Sequence, residues 1–182
     1  MVRDKLLSLF YDGYQFGTAL LIIGYYILKQ KRPYILSFLN IGNSWYAIYV
    51  LTFCFFLFKE LFMDWYSQNP YKGYTFQYSR GNIFSPYGFA FWGQYILLFL
   101  IGILFIFKKM RNKIWLSAMA ILSAHILFVI TYFASLYRDY LPSSFSYNYS
   151  LIVLNIILGI TFFSFLIGAT YFIKRAIIKS KK

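Results

Sequence analysis

Five long apolar runs constrain the fold of this chain more than any other feature. A bilayer crossing needs about 20 mostly apolar residues in an α-helix. Runs of about this length lie at 10–28, 44–63, 87–107, 114–136 and 150–173. Backbone polar groups have no water to bond inside a bilayer, and a helix pairs them internally, whereas the alternating pattern of a membrane β-barrel is missing. We therefore predict an all-α integral membrane protein with about five transmembrane helices, a four-helix bundle plus one.

Small and polar residues modify this simple pattern at a few positions. The first run is the weakest, because Asp12 and Gly13 interrupt its apolar residues. Residues 33–43 are expected to lead into the second span as a surface turn or an early helix. Small residues inside a span allow helices to approach closely. We assign this packing role to three glycines: Gly102, Gly159 and Gly168.

The composition indicates a surface that faces lipid. The 182 residues are 60% hydrophobic and 13% charged, with a mean hydropathy of +0.59. A water-soluble domain usually carries about 25% charged residues, so too few polar groups are present to cover a surface in water. The net charge of +13 would suggest nucleic-acid binding in a soluble protein. Here the bases lie between and after the apolar runs, so lipid is the expected partner and nucleic acid is not.

The distribution of basic residues indicates the orientation. The segments 29–32, 108–113 and 174–182 contain twelve of the 18 Lys and Arg residues and no acid. The alternate segments contain the other six bases and all five acids. The positive-inside rule places the basic segments in the cytoplasm. The N-terminus is therefore predicted outside, the C-terminus inside, and the segment 64–86 in an outer loop between the second and third spans.

Few side chains are suited to chemistry. The chain has one His, one Cys and five acids, so we predict no catalytic residue, no metal site and no haem with two histidine ligands. His125 lies within the fourth predicted span, where an ionisable group is a functional candidate; the alternative is a neutral His bonded to a neighbouring helix. Glu60 is either a proton entry point or quinone-contacting carboxylate, or a helix-end charge that reaches the interface. By themselves, Arg138 and Asp139 form a surface ion pair.

Two stretches of the chain resemble a known family. The first reads ELFMDWYSQNPY at 60–71, followed by SPYGFAFW at 85–92. The second reads KKMRN at 108–112, followed by SLYRDYLPSSF at 135–145. In order and spacing they resemble the carboxy-terminal half of the NrfD-like, or polysulfide-reductase, membrane subunit family. The closest form is the quinol-site subunit of bacterial alternative complex III, and the resemblance covers roughly residues 14–173.

The resemblance implies a subunit of a respiratory electron-transfer complex in the bacterial inner (cytoplasmic) membrane. Subunits of this family carry no redox cofactor of their own and bind a quinone near the outer surface, beside an iron–sulfur partner. It therefore implies no cofactor in this chain alone, a quinone at most at a shared site, and haem and iron–sulfur centres only in partners. Those partners would be other membrane and periplasmic subunits. The residues it places near a quinone or proton path are Glu60, Asp64, Trp65, Tyr66, Tyr137, Arg138 and Asp139.

The sequence also departs from the family pattern. A full member has eight or more spans, and its S-L-H-R-D histidine corresponds to Tyr137 here. A charged pair of the preceding helix falls on 125–129, and a His-x-Glu pattern falls on Phe38 and Asn40. The expected function is therefore an accessory or structural subunit, a degenerate half-length relative that is not catalytic alone. Two alternatives stay open: a quinone-binding subunit that completes a site with a partner chain, and an orphan membrane protein such as a small transporter component.

Overall fold

The described part of the chain is helical apart from short connections. In the computed structural model it comprises residues 2–66, 86–123, 125 and 149–180. Helix α1 is Val2–Ile27, a 3-10 turn covers Lys29–Lys31, and α2 is Arg32–Tyr66. Helix α3 is Pro86–Ile106, the single turn α4 is Lys108–Arg111, α5 is Ile114–Ser123 and α6 is Tyr149–Ser180. The all-α prediction is confirmed for these residues.

Three helical stretches of the described part are long and apolar enough to cross a membrane. They are Lys5–Ile27, Lys29–Met63 and Val153–Lys179, which correspond to the first, second and fifth predicted spans. Two shorter apolar stretches, Tyr95–Ile106 and Ile114–Ser123, belong to the third and fourth predicted spans. The rest of the fourth run, 126–136, lies outside the described residues. These helices fit a multi-pass membrane protein with three candidate spans.

Helix α2 is longer than the sequence prediction at both ends. It begins at Arg32, so the segment 33–43 is the early helix of the two alternatives and not a surface turn. The segment is helical because it is part of the core: Ile35 and Leu39 are buried there. At the other end α2 continues to Tyr66. Residues 64–66, predicted to begin the outer loop, are therefore helical.

Asp12 and Gly13, which interrupt the first apolar run, lie within α1, and the helix continues through both residues without a break. Gly13 lies where α1 crosses α6. A Cβ added to Gly13 would lie 2.1 Å from the carbonyl oxygen of Gly159, and one turn later a Cβ on Gly17 would lie 2.5 Å from the ring of Phe163. Glycine is needed here because the two backbones touch, as small residues allow in membrane helix pairs.

Two of the three glycines assigned to packing do have that role. Gly159 faces α1, and a Cβ added to Gly102 of α3 would lie 2.5 Å from Cγ1 of Val50 in α2. The assignment of Gly168 is wrong for the described part of the chain, because no described atom lies within 4 Å of a Cβ added there. The space beside Gly168 is open.

Aromatic contacts show that α1 and α2 are antiparallel. The ring of Phe10 lies 5.2 Å from that of Tyr49, and the ring of Tyr14 lies 4.3 Å from that of Tyr46. Residue numbers therefore rise along one helix as they fall along the other. The glycine contacts of α1 and α6 rise together, from residues 13 and 159 to residues 17 and 163. Helices α1 and α6 thus run parallel, with α2 packed antiparallel to both.

Helix α3 packs on the other side of α2. The ring of Tyr95 lies 5.7 Å from that of Phe53, and the ring of Phe105 lies 5.7 Å from that of Tyr46. This order makes α3 antiparallel to α2 and parallel to α1 and α6. Three helices therefore end on the same side of the bundle, and the connections after them lie together.

Those connections carry the basic residues, so one end of the bundle is strongly basic. The 3-10 turn follows α1, α4 follows α3, and the bases from Lys174 to Lys179 end α6. Contacts across this end join its parts: the ring of Phe38 lies 5.1 Å from that of Tyr171. In the described part of the chain, the basic segments that follow α1 and α3 and end α6 therefore lie at one end of the fold. We call this side the basic end.

The outward surfaces of the described helices are apolar. On α2 and α6, the side chains of Phe58 and Phe165 are 73% and 70% exposed, and other large apolar side chains share these surfaces. The core is also aromatic, with Phe105 and Phe163 almost fully buried. A soluble monomer rarely exposes apolar patches of this extent. Such a surface fits a lipid environment.

Substitution of Gly13 should weaken the bundle. In Gly13→Ala the new methyl group meets the backbone of Gly159, which cannot rotate away as a side chain can. We expect a loss of about 1–3 kcal/mol from this overpacking. Gly93→Ala is the matched control, since an added Cβ there has no described neighbour within 4 Å and gains the same helix propensity. Unfolding in detergent, followed by circular dichroism, measures both variants, and equal stabilities would contradict the crossing.

Candidate functional site

The C-terminal end of α2 carries those predicted quinone-proximal residues that lie within the described chain. Glu60 is exposed on this helix, and Asp64 and Trp65 lie in its last turn. Tyr66 is 76% exposed, and its ring stacks on that of Phe62 with centroids 6.0 Å apart. These residues share one helix end, whereas the sequence prediction places residues 64–66 in the loop after the second span.

The remaining predicted site residues are not brought to that end by any described contact. Tyr137, Arg138 and Asp139 lie outside the described residues, so their proximity to Glu60 stays a prediction. His125 has an exposed side chain, and its role also stays a prediction. Within the ranges given above, no three His, Cys, Asp or Glu side chains are placed to hold a metal ion.

A buried polar cluster, absent from the sequence predictions, lies near the basic end. Its centre is Asn43 of α2, which is fully buried. The Asn43 side-chain oxygen accepts a hydrogen bond of 2.9 Å from the Tyr14 hydroxyl of α1. Its side-chain nitrogen donates to Oγ of Ser117 in α5 at 2.9 Å and to the carbonyl oxygen of Arg111 in α4 at 2.7 Å. One amide therefore joins four helices.

Arg111 extends the polar cluster toward the surface. Its Nη1 donates to Oγ of Ser44 at 2.6 Å, and its Nη2 donates to the carbonyl oxygen of Ile106 at 3.1 Å. Helix α3 ends at Ile106, so this carbonyl has lost its helical partner and the guanidinium replaces it. The side chain of Asn40 donates to that of Asn112. The polar cluster thus comprises Tyr14, Asn40, Asn43, Ser44, Arg111, Asn112 and Ser117.

Helical spacing explains why these side chains meet. Asn40, Asn43 and Ser44 occupy positions i, i+3 and i+4 of α2, which lie on one helix face. A polar face inside an otherwise apolar helix is a signal that the sequence contains. The sequence prediction places 33–43 before the second span. A buried polar face is not expected outside a span, so the signal is not used there.

The chemistry of the polar cluster suits a structural role, in which hydrogen bonds hold helices together. Its groups are amides, hydroxyls and one guanidinium, and it has no carboxylate or imidazole to exchange a proton near neutral pH. Bonds between helices in membrane proteins contribute about 0.6 kcal/mol each on average. A further bond, from Trp45 Nε1 to Thr170 Oγ1 at 3.0 Å, joins α2 to α6. Together these bonds fix the relative positions of the helices at this end.

Asp12 is a second candidate for a functional polar residue in the described part of the chain. It is half-buried within the first candidate span, and an acid at membrane depth is a functional candidate. It lies seven residue steps from Lys5, about 10 Å along the helix. Asp12 is therefore the eighth residue of the candidate span Lys5–Ile27. The sequence interpretation treated Asp12 only as an interruption of the run.

Removal of the Asn43 amide should destabilise the bundle more than removal of one of its partners. Asn43→Leu eliminates three hydrogen bonds and leaves the hydroxyls of Tyr14 and Ser117 buried, so we expect a loss of about 2–3 kcal/mol. Tyr14→Phe removes one bond. The loss of stability in the double variant should be smaller than the sum of the two single losses by at least about 0.5 kcal/mol. Thr161→Val is the control, since its exposed hydroxyl bonds only Ile157 of the same helix. Strict additivity in detergent unfolding would contradict a shared cluster.

No known protein family, curated protein or solved structure matches this chain. The resemblance of the stretches 60–92 and 108–145 therefore stays an expectation from their motifs.

Proposed function

We propose that this chain is an accessory membrane subunit of a quinol-oxidising respiratory complex of the alternative complex III type, in the bacterial inner membrane. It corresponds to the carboxy-terminal half of an NrfD-like subunit. It crosses the membrane about five times, with its N-terminus outside. It is not catalytic alone and has no cofactor of its own; haem and iron–sulfur centres belong to partner subunits, and a quinone binds at most at a shared site.

The polar cluster is the observation that carries this proposal. Its buried polar groups bond to one another and to the end of α3, so they hold helices together. Of its side-chain atoms in the described part of the chain, Nε of Arg111 is buried without a hydrogen-bond partner. A scaffold needs its interior polar groups to be used in this way, because helix association in lipid depends on packing and hydrogen bonds. A proton path needs titratable side chains along the bundle. The groups of the polar cluster favour the structural role.

The length of α2 supports the membrane placement. From Arg32 to Glu60 there are 28 residue steps of about 1.5 Å, or about 42 Å. A bilayer with its headgroup regions is about 40–45 Å thick. With Arg32 at the cytoplasmic surface, as the positive-inside rule requires, Glu60 reaches the outer headgroup region. This position favours the interpretation of Glu60 as a helix-end charge.

Cysteine labelling tests the topology. In a Cys54→Ser background, single cysteines at residues 79 and 146 should react with a membrane-impermeant maleimide in intact cells. A cysteine at residue 180 should react only after permeabilisation, because the basic end faces the cytoplasm. Reaction of residue 180 in intact cells would reject the proposed orientation, and the same reagent on the Cys54→Ser protein without added cysteines gives the background.

Glu60→Gln separates the accessory role from the quinone-binding role. The complex that co-purifies in mild detergent is quantified by native gel, and its quinol oxidation is measured per haem. For an accessory subunit the turnover changes less than about threefold, below about 1 kcal/mol of barrier. A quinone-site carboxylate predicts intact assembly and a loss of at least about a hundredfold.

Lys59→Gln is the matched control for this experiment, because it removes the neighbouring exposed charge from the same helix turn. An assembled Glu60→Gln complex without quinol oxidation, beside an active Lys59→Gln complex, would replace the accessory role by the catalytic one. A preparation that contains neither haem nor quinol oxidation would instead favour the orphan membrane protein.

A further inference from the structure

An apolar groove lies between α1, α2 and α6, on the basic half of the bundle. Its volume is about 440 Å³, and its lining is apolar except for Ser164. Two glycines open it: Gly24 on α1 and Gly168 on α6. A Cβ added to Gly24 would meet only Cδ1 of Ile35, at 3.7 Å, and one added to Gly168 would meet no described atom within 4 Å. Among the described residues, none fills this space between the three helices.

The groove has the length of one membrane leaflet. Along α1 it extends from Gly17 to Leu28, eleven residue steps or about 16 Å. Half of the hydrocarbon core of a bilayer is about 15 Å thick. The lining residues Leu20 and Leu28 are 58% and 52% exposed, so the groove is open sideways. In the membrane placement proposed above, it opens to the acyl chains of the cytoplasmic leaflet.

Exposed bases continue the groove-lining stripe of α6. Ile167 and Gly168 line the groove. Lys174 lies seven residues after Ile167, and Arg175 lies seven residues after Gly168, so each base is on the same helix face two turns later. Both bases are exposed. They therefore lie on the groove side of α6, where that helix reaches the membrane surface.

A third base lies in the turn that leads into α2. Lys31 is the last residue of the 3-10 turn and is exposed. It directly precedes α2, whose Ile35 and Phe38 line the groove. The ring of Phe38 contacts that of Tyr171, one turn before Lys174, with centroids 5.1 Å apart. The start of α2 and the last turns of α6 therefore lie at the same end of the groove.

We propose that this groove binds an anionic phospholipid, with one acyl chain between the helices and the phosphate held by Lys31, Lys174 and Arg175. Clusters of bases between helices on the cytoplasmic side attract anionic headgroups, and charge complementarity selects this occupant. An uncharged isoprenoid chain would make no use of the three bases. A helix with its side chains is about 10–12 Å wide, too wide to enter the groove fully.

Binding of two lipids with the same acyl chains tests the headgroup site. The purified chain is titrated with dioleoylphosphatidylglycerol and with dioleoylphosphatidylcholine, and bound lipid is counted by native mass spectrometry. The wild-type chain should bind phosphatidylglycerol at least about fivefold more tightly. The triple variant Lys31→Gln, Lys174→Gln, Arg175→Gln should lose this preference. The control triple Lys108→Gln, Lys109→Gln, Lys113→Gln removes the same charge from the same end and should keep it.

A filled groove tests the acyl-chain site. Gly168→Leu places a side chain in the groove where no described atom lies within 4 Å, so the fold should persist and both lipids should bind at least about fivefold more weakly. Gly93→Leu, at an equally open position of α3 outside the groove lining, should leave binding unchanged. Circular dichroism of both variants confirms that each is folded.

Four results would overturn the proposal. Equal affinity of the wild-type chain for the two lipids would remove the headgroup selection. Equal losses in the two charge triples would mean diffuse attraction to the whole basic end. If folded Gly168→Leu binds both lipids as tightly as the wild-type chain, the groove is not the acyl-chain site. If equimolar decylubiquinone displaces phosphatidylglycerol, the groove binds a quinone tail. The inference requires the membrane placement, which cysteine labelling tests separately, but not the respiratory role.

Discussion

The backbone contact between Gly13 and Gly159 joins the first and last helices of the described chain. Because neither residue has a side chain, α1 and α6 touch there, and the ring of Phe163 fits against Gly17 one turn later. Helix α2 then packs across both. Helices that touch at one point diverge away from it, and the groove between Gly24 and Gly168 lies where α1 and α6 have separated. The same contact thus explains why α1 and α6 are close at Gly13 and Gly159 and are separated by the groove at Gly24 and Gly168.

Helix α2 is held to its neighbours by hydrogen bonds. Lipid tails are as apolar as leucine side chains, so burial of apolar surface gives little drive for helices to associate within a membrane. Close backbone approach and bonds between helices remain. The α1–α6 pair uses the first, and the Asn43 amide, with its bonds to Tyr14, Ser117 and Arg111, uses the second. The bond from Trp45 to Thr170 joins α2 to α6 in the same way.

The sequence predicts the parts of this fold that depend on composition and on charge. Apolar runs give helices, and the positions of the bases give an alternation that the contacts of α1, α2, α3 and α6 confirm. Gly13 shows where such prediction ends. In the sequence, Gly13 only weakens an apolar run. Its contact is visible once α6 is placed beside α1, because its partner Gly159 is far away in sequence. The segment 33–43 also required the structure. The buried bonds of its polar face are seen only once α4 and α5 are placed beside it.

The distance in sequence between the two glycines of the crossing has a consequence for biosynthesis. They are 146 positions apart, so α1 enters the membrane long before its partner α6 has been synthesised. The hairpin of α1 and α2, closed by the short turn at Lys29–Lys31, can form early because its contacts are local. The face of α1 that carries Gly13 and Gly17 stays without its final partner until the last helix is inserted. A chain that ends before residue 159 therefore leaves that face of α1 without the backbone contact of Gly159.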